Sequence, residues 1–211
     1  MDFNAFVRQF ADLPIIDAGT FPLYDSGTGL RRQVRRWVEK GYLIPLKRSL
    51  YILDRQFRRI EPSLEFIANA LAAPSYVSLS WAMGRYGLIP EEPTVVTSIT
   101  TKKTKTFTNP LGRFEYRSVK KSLFAGYRME RIMDQNVFMA VPEKALVDYF
   151  YYDFSAKPEE AYYESLRLQG LDILDPKRLA EFSRLSNRRV KALIKGLLKY
   201  IQAETERYKT L

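Results

Sequence analysis

The stretch Thr28-Gly29-Leu30-Arg31-Arg32-Gln33-Val34-Arg35-Arg36-Trp37-Val38-Glu39-Lys40-Gly41, followed at once by Tyr42-Leu43-Ile44-Pro45-Leu46-Lys47-Arg48-Ser49-Leu50-Tyr51-Ile52-Leu53, decides how this chain is read. Leu30, Val34, Trp37 and Val38 fall at i, i+4, i+7 and i+8, one apolar stripe on a helix that Thr28 can cap and Gly41 can end. The other side of that helix carries Arg31, Arg32, Gln33, Arg35, Arg36 and Lys40, with Glu39 its only acid. Arg31/Arg35 and Arg32/Arg36 are like-charged i,i+4 pairs that cost about a few tenths of a kcal/mol each, and arginines in a first turn oppose the helix dipole. A row of phosphates would turn those same charges into the main source of affinity. After Gly41, two short apolar strands flank the basic turn Lys47-Arg48-Ser49, which predicts a β-hairpin.

A helix with a basic outer face followed by a hairpin with a basic tip is the order of a winged helix-turn-helix, in which the helix enters the major groove and the wing touches backbone. The groove-facing candidates are then Arg31, Arg32, Gln33, Arg35, Arg36 and Lys40, since Gln and Arg can bond two edge atoms of adenine or guanine. Lys47 and Arg48 are expected to hold phosphates and fix the docking angle without reading sequence. Trp37, Tyr42 and Tyr51 belong to the stripe or the hairpin and read as core. Upstream, Phe3, Phe6, Val7 and Phe10 give one apolar face to a helix over Asp2 to Phe10. Pro14, Gly19, Pro22, Gly27 and Gly29 leave room only for a short helix in the next stretch. Winged helices also dock on proteins, so a protein adaptor is an alternative reading.

Of the 211 residues, 34 are Lys or Arg and 24 Asp or Glu, a formal net charge of +10, and there is no Cys and no His. Disulfide frameworks, Cys or His zinc sites and any mechanism needing an imidazole or thiolate are excluded. Residues 1–60 hold 11 basic and 6 acidic side chains, 61–155 hold 11 and 10, and 156–211 hold 12 and 8, so the two ends are basic and the middle nearly neutral. The expected class is α+β: a winged helix-turn-helix over 1–60, a mixed α/β domain over 61–155 and a C-terminal helical segment over 156–211 packed on it. No apolar run approaches the roughly 20 residues that span a bilayer. Asp2 within the first ten residues argues against an export signal. The expectation is a soluble, cytoplasmic protein without a membrane partner.

In the middle segment, Pro62 to Ala73 reads as a helix with Pro62 at its first position, and Ser75 to Gly87 as a short extended stretch and a second helix. Thr94 to Thr101, Arg113 to Arg117 and Val137 to Val141 read as strands. Pro142-Glu143 opens a further helix, where a glutamate near the N-terminus is stabilising without any chemistry. Lys102, Lys103 and Lys105 fall between two strands, as a solvated tip or a second anionic contact. Past Gly170, Asp175-Pro176 opens a helix to about Arg184. Ser186 or Asn187 caps a longer one with the seam Val190, Leu193, Ile194, Leu197, Leu198 and Ile201. Arg188, Lys191, Lys195 and Lys199 run beside that seam with no acid before Glu204, a stripe that suits a partner of opposite charge.

The winged-helix signal occurs in fixed order with Ala73-Pro74-Ser75-Tyr76-Val77-Ser78-Leu79, Tyr86-Gly87-Leu88-Ile89-Pro90-Glu91, Thr100-Thr101-Lys102-Lys103, Gly112-Arg113-Phe114-Glu115-Tyr116-Arg117 and Ala140-Val141-Pro142-Glu143-Lys144-Ala145-Leu146. In these pieces, over roughly residues 28–155, the chain resembles the AbiEi antitoxins, predicted transcriptional regulators of viral defence found in type IV toxin-antitoxin pairs. The resemblance implies a repressor that binds double-stranded DNA at inverted repeats in its own promoter. It also implies a remaining domain that neutralises a nucleotidyltransferase-like toxin encoded alongside, by an action that need not involve contact. It implies no enzyme activity, cofactor, metal or catalytic residue. A competing class is a metal-dependent nuclease drawing on Glu115, Glu143, Lys144 and Asp148, although no Asp precedes a Glu-x-Lys at strand spacing.

Overall fold

The structure, a computed structural model, describes residues 1–24 and 29–209. The expected cap at Thr28 lies outside these residues. Helix α1 (Phe3–Phe10) starts where the Asp2 carboxylate accepts the Ala5 N–H at 2.8 Å, and it buries Phe6 and Phe10. The Pro- and Gly-rich stretch then forms strand β1 (Ile16–Asp17) and a 3-10 helix, Ala18–Leu23, which Asp17 caps. Helix α2 (Gly29–Glu39) closes in a Schellman turn. Tyr42 N–H bonds the Trp37 carbonyl, Gly41 N–H bonds that of Val38, and Gly41 takes φ +73°. Strands β2 (Leu43–Lys47) and β3 (Leu50–Leu53) pair antiparallel, and β1 joins the far side of β3 to give the order β1-β3-β2. Phe6, Phe10, Ile16, Phe21, Leu30, Val34, Trp37, Leu43 and Leu53 form the core of this unit.

The second unit is built on a six-stranded mixed sheet. Helix α3 (Leu64–Leu71) starts two residues later than Pro62 suggested, because the Ser63 hydroxyl accepts the Phe66 N–H at 3.2 Å and takes the cap. Then follow β4 (Ser75–Val77), α4 (Leu79–Arg85), β5 (Val95–Thr100), β6 (Lys105–Asn109), β7 (Gly112–Ser118), β8 (Tyr127–Ile132), β9 (Gln135–Ala140) and α5 (Pro142–Tyr152). The sheet order is β6-β7-β5-β4-β9-β8, with β5/β7 and β4/β9 parallel. Register fixes the layers. Val77 of β4 lies opposite Ser98 of β5, and Ser98 opposite Tyr116 of β7, whose hydroxyl bonds the Ala68 carbonyl of α3. Their neighbour Tyr76 points the other way and bonds Asp148 of α5. The sheet therefore carries α3 on one face and α5 on the other.

The C-terminal segment holds α6 (Glu160–Ser165), α7 (Pro176–Leu185) and α8 (Arg188–Lys209). Tyr163, Leu179, Val190, Leu193, Ile194 and Leu197 join the same large core as the sheet, so this segment shares its core with the second unit. The packing also alters the division expected near Arg59 to Pro62. Leu46, Leu50 and Ile52 of the β2–β3 hairpin belong to the large core, while Leu43 and Leu53 of the same hairpin belong to the N-terminal one. The chain changes composition at residue 60, but the hairpin is common to both cores.

Candidate nucleic-acid interface

Helix α2 is sorted by exposure as its periodicity predicts. Leu30, Val34 and Trp37 are buried, whereas Arg31, Arg32, Arg35, Arg36 and Lys40 are exposed. Arg35 Nε lies 3.2 Å from Glu39 Oε1, with the side chains 84% and 62% exposed, an ion pair in full solvent contact that stabilises by about a few tenths of a kcal/mol. No carboxylate of the described residues pairs with Arg31, Arg32 or Arg36. Lys40 Nζ sits 5.9 Å from the Tyr42 ring centre. The basic face is thus turned outward, and within it the helix supplies one acid.

Two expected contacts are corrected. Gln33 is half-buried, and its Oε1 is enclosed without a hydrogen-bond partner among the described residues, so that oxygen is not open to a base edge as the two-atom contact requires. Lys47 does not project from the hairpin tip. Its ammonium donates to the carbonyls of Ala70 (3.2 Å) and Leu71 (2.8 Å), the open C-terminal end of α3. Burial, with the nearby positive charges of Lys105 and Lys102, lowers the Lys47 pKa, against which Asp17 acts in the opposite direction. A lysine directly beside a turn reads as a tip residue in sequence; here an adjacent helix end captures it. Arg48, next to Ser49 at φ +68°, is the exposed basic residue of the turn.

Lys47 also reveals where Lys102 and Lys105 lie, because both are close enough to act on it electrostatically. The loop before β6 is therefore beside the hairpin, and the Asn109 amide bonds the Leu46 carbonyl at 3.3 Å. Lys102, Lys103 and Lys105 are all exposed, with Lys105 Nζ 4.5 Å from the Phe107 ring centre. Arg188, Lys191, Lys195 and Lys199 are exposed along α8, which packs on α5, α6 and α7. Arg189, outside that stripe, instead turns inward and donates to the carbonyls of Phe150, Tyr151 and Asp153 at the end of α5.

A buried polar cluster escaped the sequence reading. Asp148 accepts hydrogen bonds from Tyr76 Oη (3.0 Å), Ser78 Oγ (2.8 Å) and the Lys144 ammonium. Burial pushes the Asp148 pKa up, with Lys144 and the hydroxyls acting against it. The only sequence signal was the i,i+4 spacing of Lys144 and Asp148 on α5. The carboxylates weighed for nuclease chemistry do not meet. Glu115 pairs with Arg113 and Arg117 on β7, Glu143 Oε1 accepts the Asp175 N–H, and Asp148 is held as described. Among the described residues no group of three carboxylates has metal-binding spacing, and no helix is long and apolar enough to cross a membrane. No family model matches the chain, and no curated protein is similar enough to count as a relative.

Proposed function

We propose that the protein is a DNA-binding transcriptional repressor that acts as the antitoxin of a type IV toxin-antitoxin pair. The observation that carries the reading is the exposed row Arg31, Arg32, Arg35 and Arg36 on α2, which lacks carboxylate partners apart from Glu39 among the described residues. Such a row is locally unfavourable in water and favourable against a polyanion. The order helix, strand, 3-10 helix, helix and hairpin, with sheet order β1-β3-β2, supports reading the N-terminal unit as a winged helix-turn-helix. In that reading the 3-10 helix Ala18–Leu23 stands in the place of the turn's first helix and α2 is the reader. Arg48 touches backbone from the wing, and Lys102, Lys103 and Lys105 extend the basic surface beside it. The antitoxin role rests on the ordered motifs that resemble the AbiEi proteins. The toxin partner is nucleotidyltransferase-like, with neutralisation of its action rather than a defined contact.

The test is a mobility-shift titration on the promoter of the gene. Arg32→Ala and Arg35→Ala each weaken binding by about 1–3 kcal/mol, whereas Arg48→Ala lowers affinity on all sequences and reduces the salt slope by about one. Lys47→Ala leaves the salt slope unchanged, because its ammonium is already engaged. An Arg32/Arg35 double variant that binds like the wild type removes α2 as the reader. Retention on random DNA at low salt without a footprint favours the protein-adaptor reading.

A further inference from the structure

We infer that the free edge of strand β8 is a self-association surface, pairing antiparallel with β8 of a second copy about a two-fold axis through Met129. The two edges of the six-stranded sheet are β6 and β8. Strand β6 lies beside the β2 strand of the hairpin, whereas β8 pairs in the sheet with β9 on one side and, among the described residues, with no strand on the other; its Arg128, Met129 and Arg131 are exposed, and the Tyr86 hydroxyl donates to its Glu130 at 3.2 Å. The open hydrogen-bonding groups of β8 can be assigned from its register. Met133 and Asp134 both take positive φ and form a two-residue turn between the paired residues Ile132 and Gln135. Bonds to β9 then come from Ile132, Glu130 and Arg128, leaving the N–H and C=O of Tyr127, Met129 and Arg131 directed outward. An independent observation agrees. Phe138, directly opposite Met129, gives its N–H to Asn69 Oδ1 at 2.6 Å and takes the Asn69 amide on its carbonyl, so the Met129–Phe138 pair does not bond across the ladder.

The charges select the occupant. With the axis at Met129, Met129 faces its own copy, Tyr127 faces Arg131, and Arg128 faces Glu130, each twice by symmetry. Arg128 and Glu130 already bond within one strand at 2.8 Å, so pairing closes a ring of two arginines and two glutamates. A register one residue away puts Arg128 opposite Arg131 and turns the wrong backbone groups to the edge. An axis at Arg131 sets two guanidinium groups face to face. On one side of the strand Met129 is 60% exposed and Phe138 47% exposed, and these join their symmetry mates in one apolar patch. That patch continues into a cavity of about 430 Å³ lined by Phe124, Tyr127 and Phe138 with Asn69, Ala73 and Pro74. A single strand pair with this patch is smaller than a standard interface, so the association expected is a weak one.

The experiment measures mass and needs no DNA, so it stands or falls apart from the repressor reading. Sedimentation of the full chain at micromolar concentrations is expected to show a monomer–dimer equilibrium. Arg128→Glu and Glu130→Arg each place like charges across the axis and weaken self-association about tenfold. Mixed together, the two variants restore association, because each then opposes the other with opposite charge in both pairs. The chain has no native cysteine, so Met129→Cys reports the register: an antiparallel bonded pair has Cα atoms about 5.5 Å apart, within disulfide reach. It cross-links under mild oxidation, and Asp134→Cys at the turn does not. A wild type that stays monomeric without the Met129→Cys cross-link overturns the inference. So does a dimer that survives in both single variants, or an edge that takes up an added extended peptide while the chain remains monomeric.

Discussion

Asp148 is a charge placed where water does not reach, and it persists because Lys144, Tyr76 and Ser78 occupy its oxygens. Removing a buried charge is costly chiefly through the partner left behind. Asp148→Ala strands the Lys144 ammonium in the core and is expected to lower stability by about 3–5 kcal/mol in urea unfolding. The double change Lys144→Met/Asp148→Leu recovers part of this loss, since Tyr76 and Ser78 still lack an acceptor. Asp153 behaves differently. Burial works against its charge, but hydrogen bonds from Ser155, Tyr162 and nearby backbone N–H groups outweigh it and hold the pKa below the ordinary carboxylate value. A depressed folded pKa gives stability that is present above the unfolded value, about 4, and is lost as pH falls through the folded one. Asp153→Asn is accordingly less stable than the wild type at neutral pH, and the gap between the two closes on acidification. Thermal melts of both proteins from neutral pH downward check this.

The elements owe their limits to local chemistry that differs from one end to the other. Helix α2 ends because Gly41 enters the left-handed region at φ +73°, and nothing lies within 4 Å of where a Cβ would stand. Gly41→Ala is therefore a purely conformational change, expected to cost about 1 kcal/mol in denaturant unfolding without a packing clash. A loss well above that would mean that the hairpin register depends on this turn. Strands β6 and β8 were not legible in sequence for a related reason. Both are edges, and Lys105-Thr106-Phe107-Thr108-Asn109 and Tyr127-Arg128-Met129-Glu130-Arg131-Ile132 lack the clean apolar alternation of a strand covered on one face. Edge strands carry charge where a buried strand carries apolar residues, so their pattern is weak by construction.

At the scale of the molecule, the hairpin joins two cores. Leu46, Leu50 and Ile52 face the large one, Leu43 and Leu53 the small one, and Lys47 and the Leu46 carbonyl bond across to α3 and β6. Separating the units would expose those three apolar side chains to water, at roughly 1.5–3 kcal/mol for each. The two tryptophans report the units separately, Trp37 in the small core and Trp81 against the large one. Trp37→Phe and Trp81→Phe variants, followed by fluorescence in urea, are expected to show coincident midpoints. Two resolved transitions would show that the hairpin does not couple the cores.

The sequence by itself determined the amphipathic helices, the central strands, the outward arginine row of α2 and the seam of α8, because each follows from a local period that packing then obeyed. It determined neither the destination of Lys47 nor that of Gln33, and it gave no sign that Lys102 and Lys105, placed only between two strands, adjoin the hairpin. Those outcomes were decided only by tertiary structure. A side chain's partner across more than twenty residues depends on which helix end or loop the fold delivers beside it, and no local period records that.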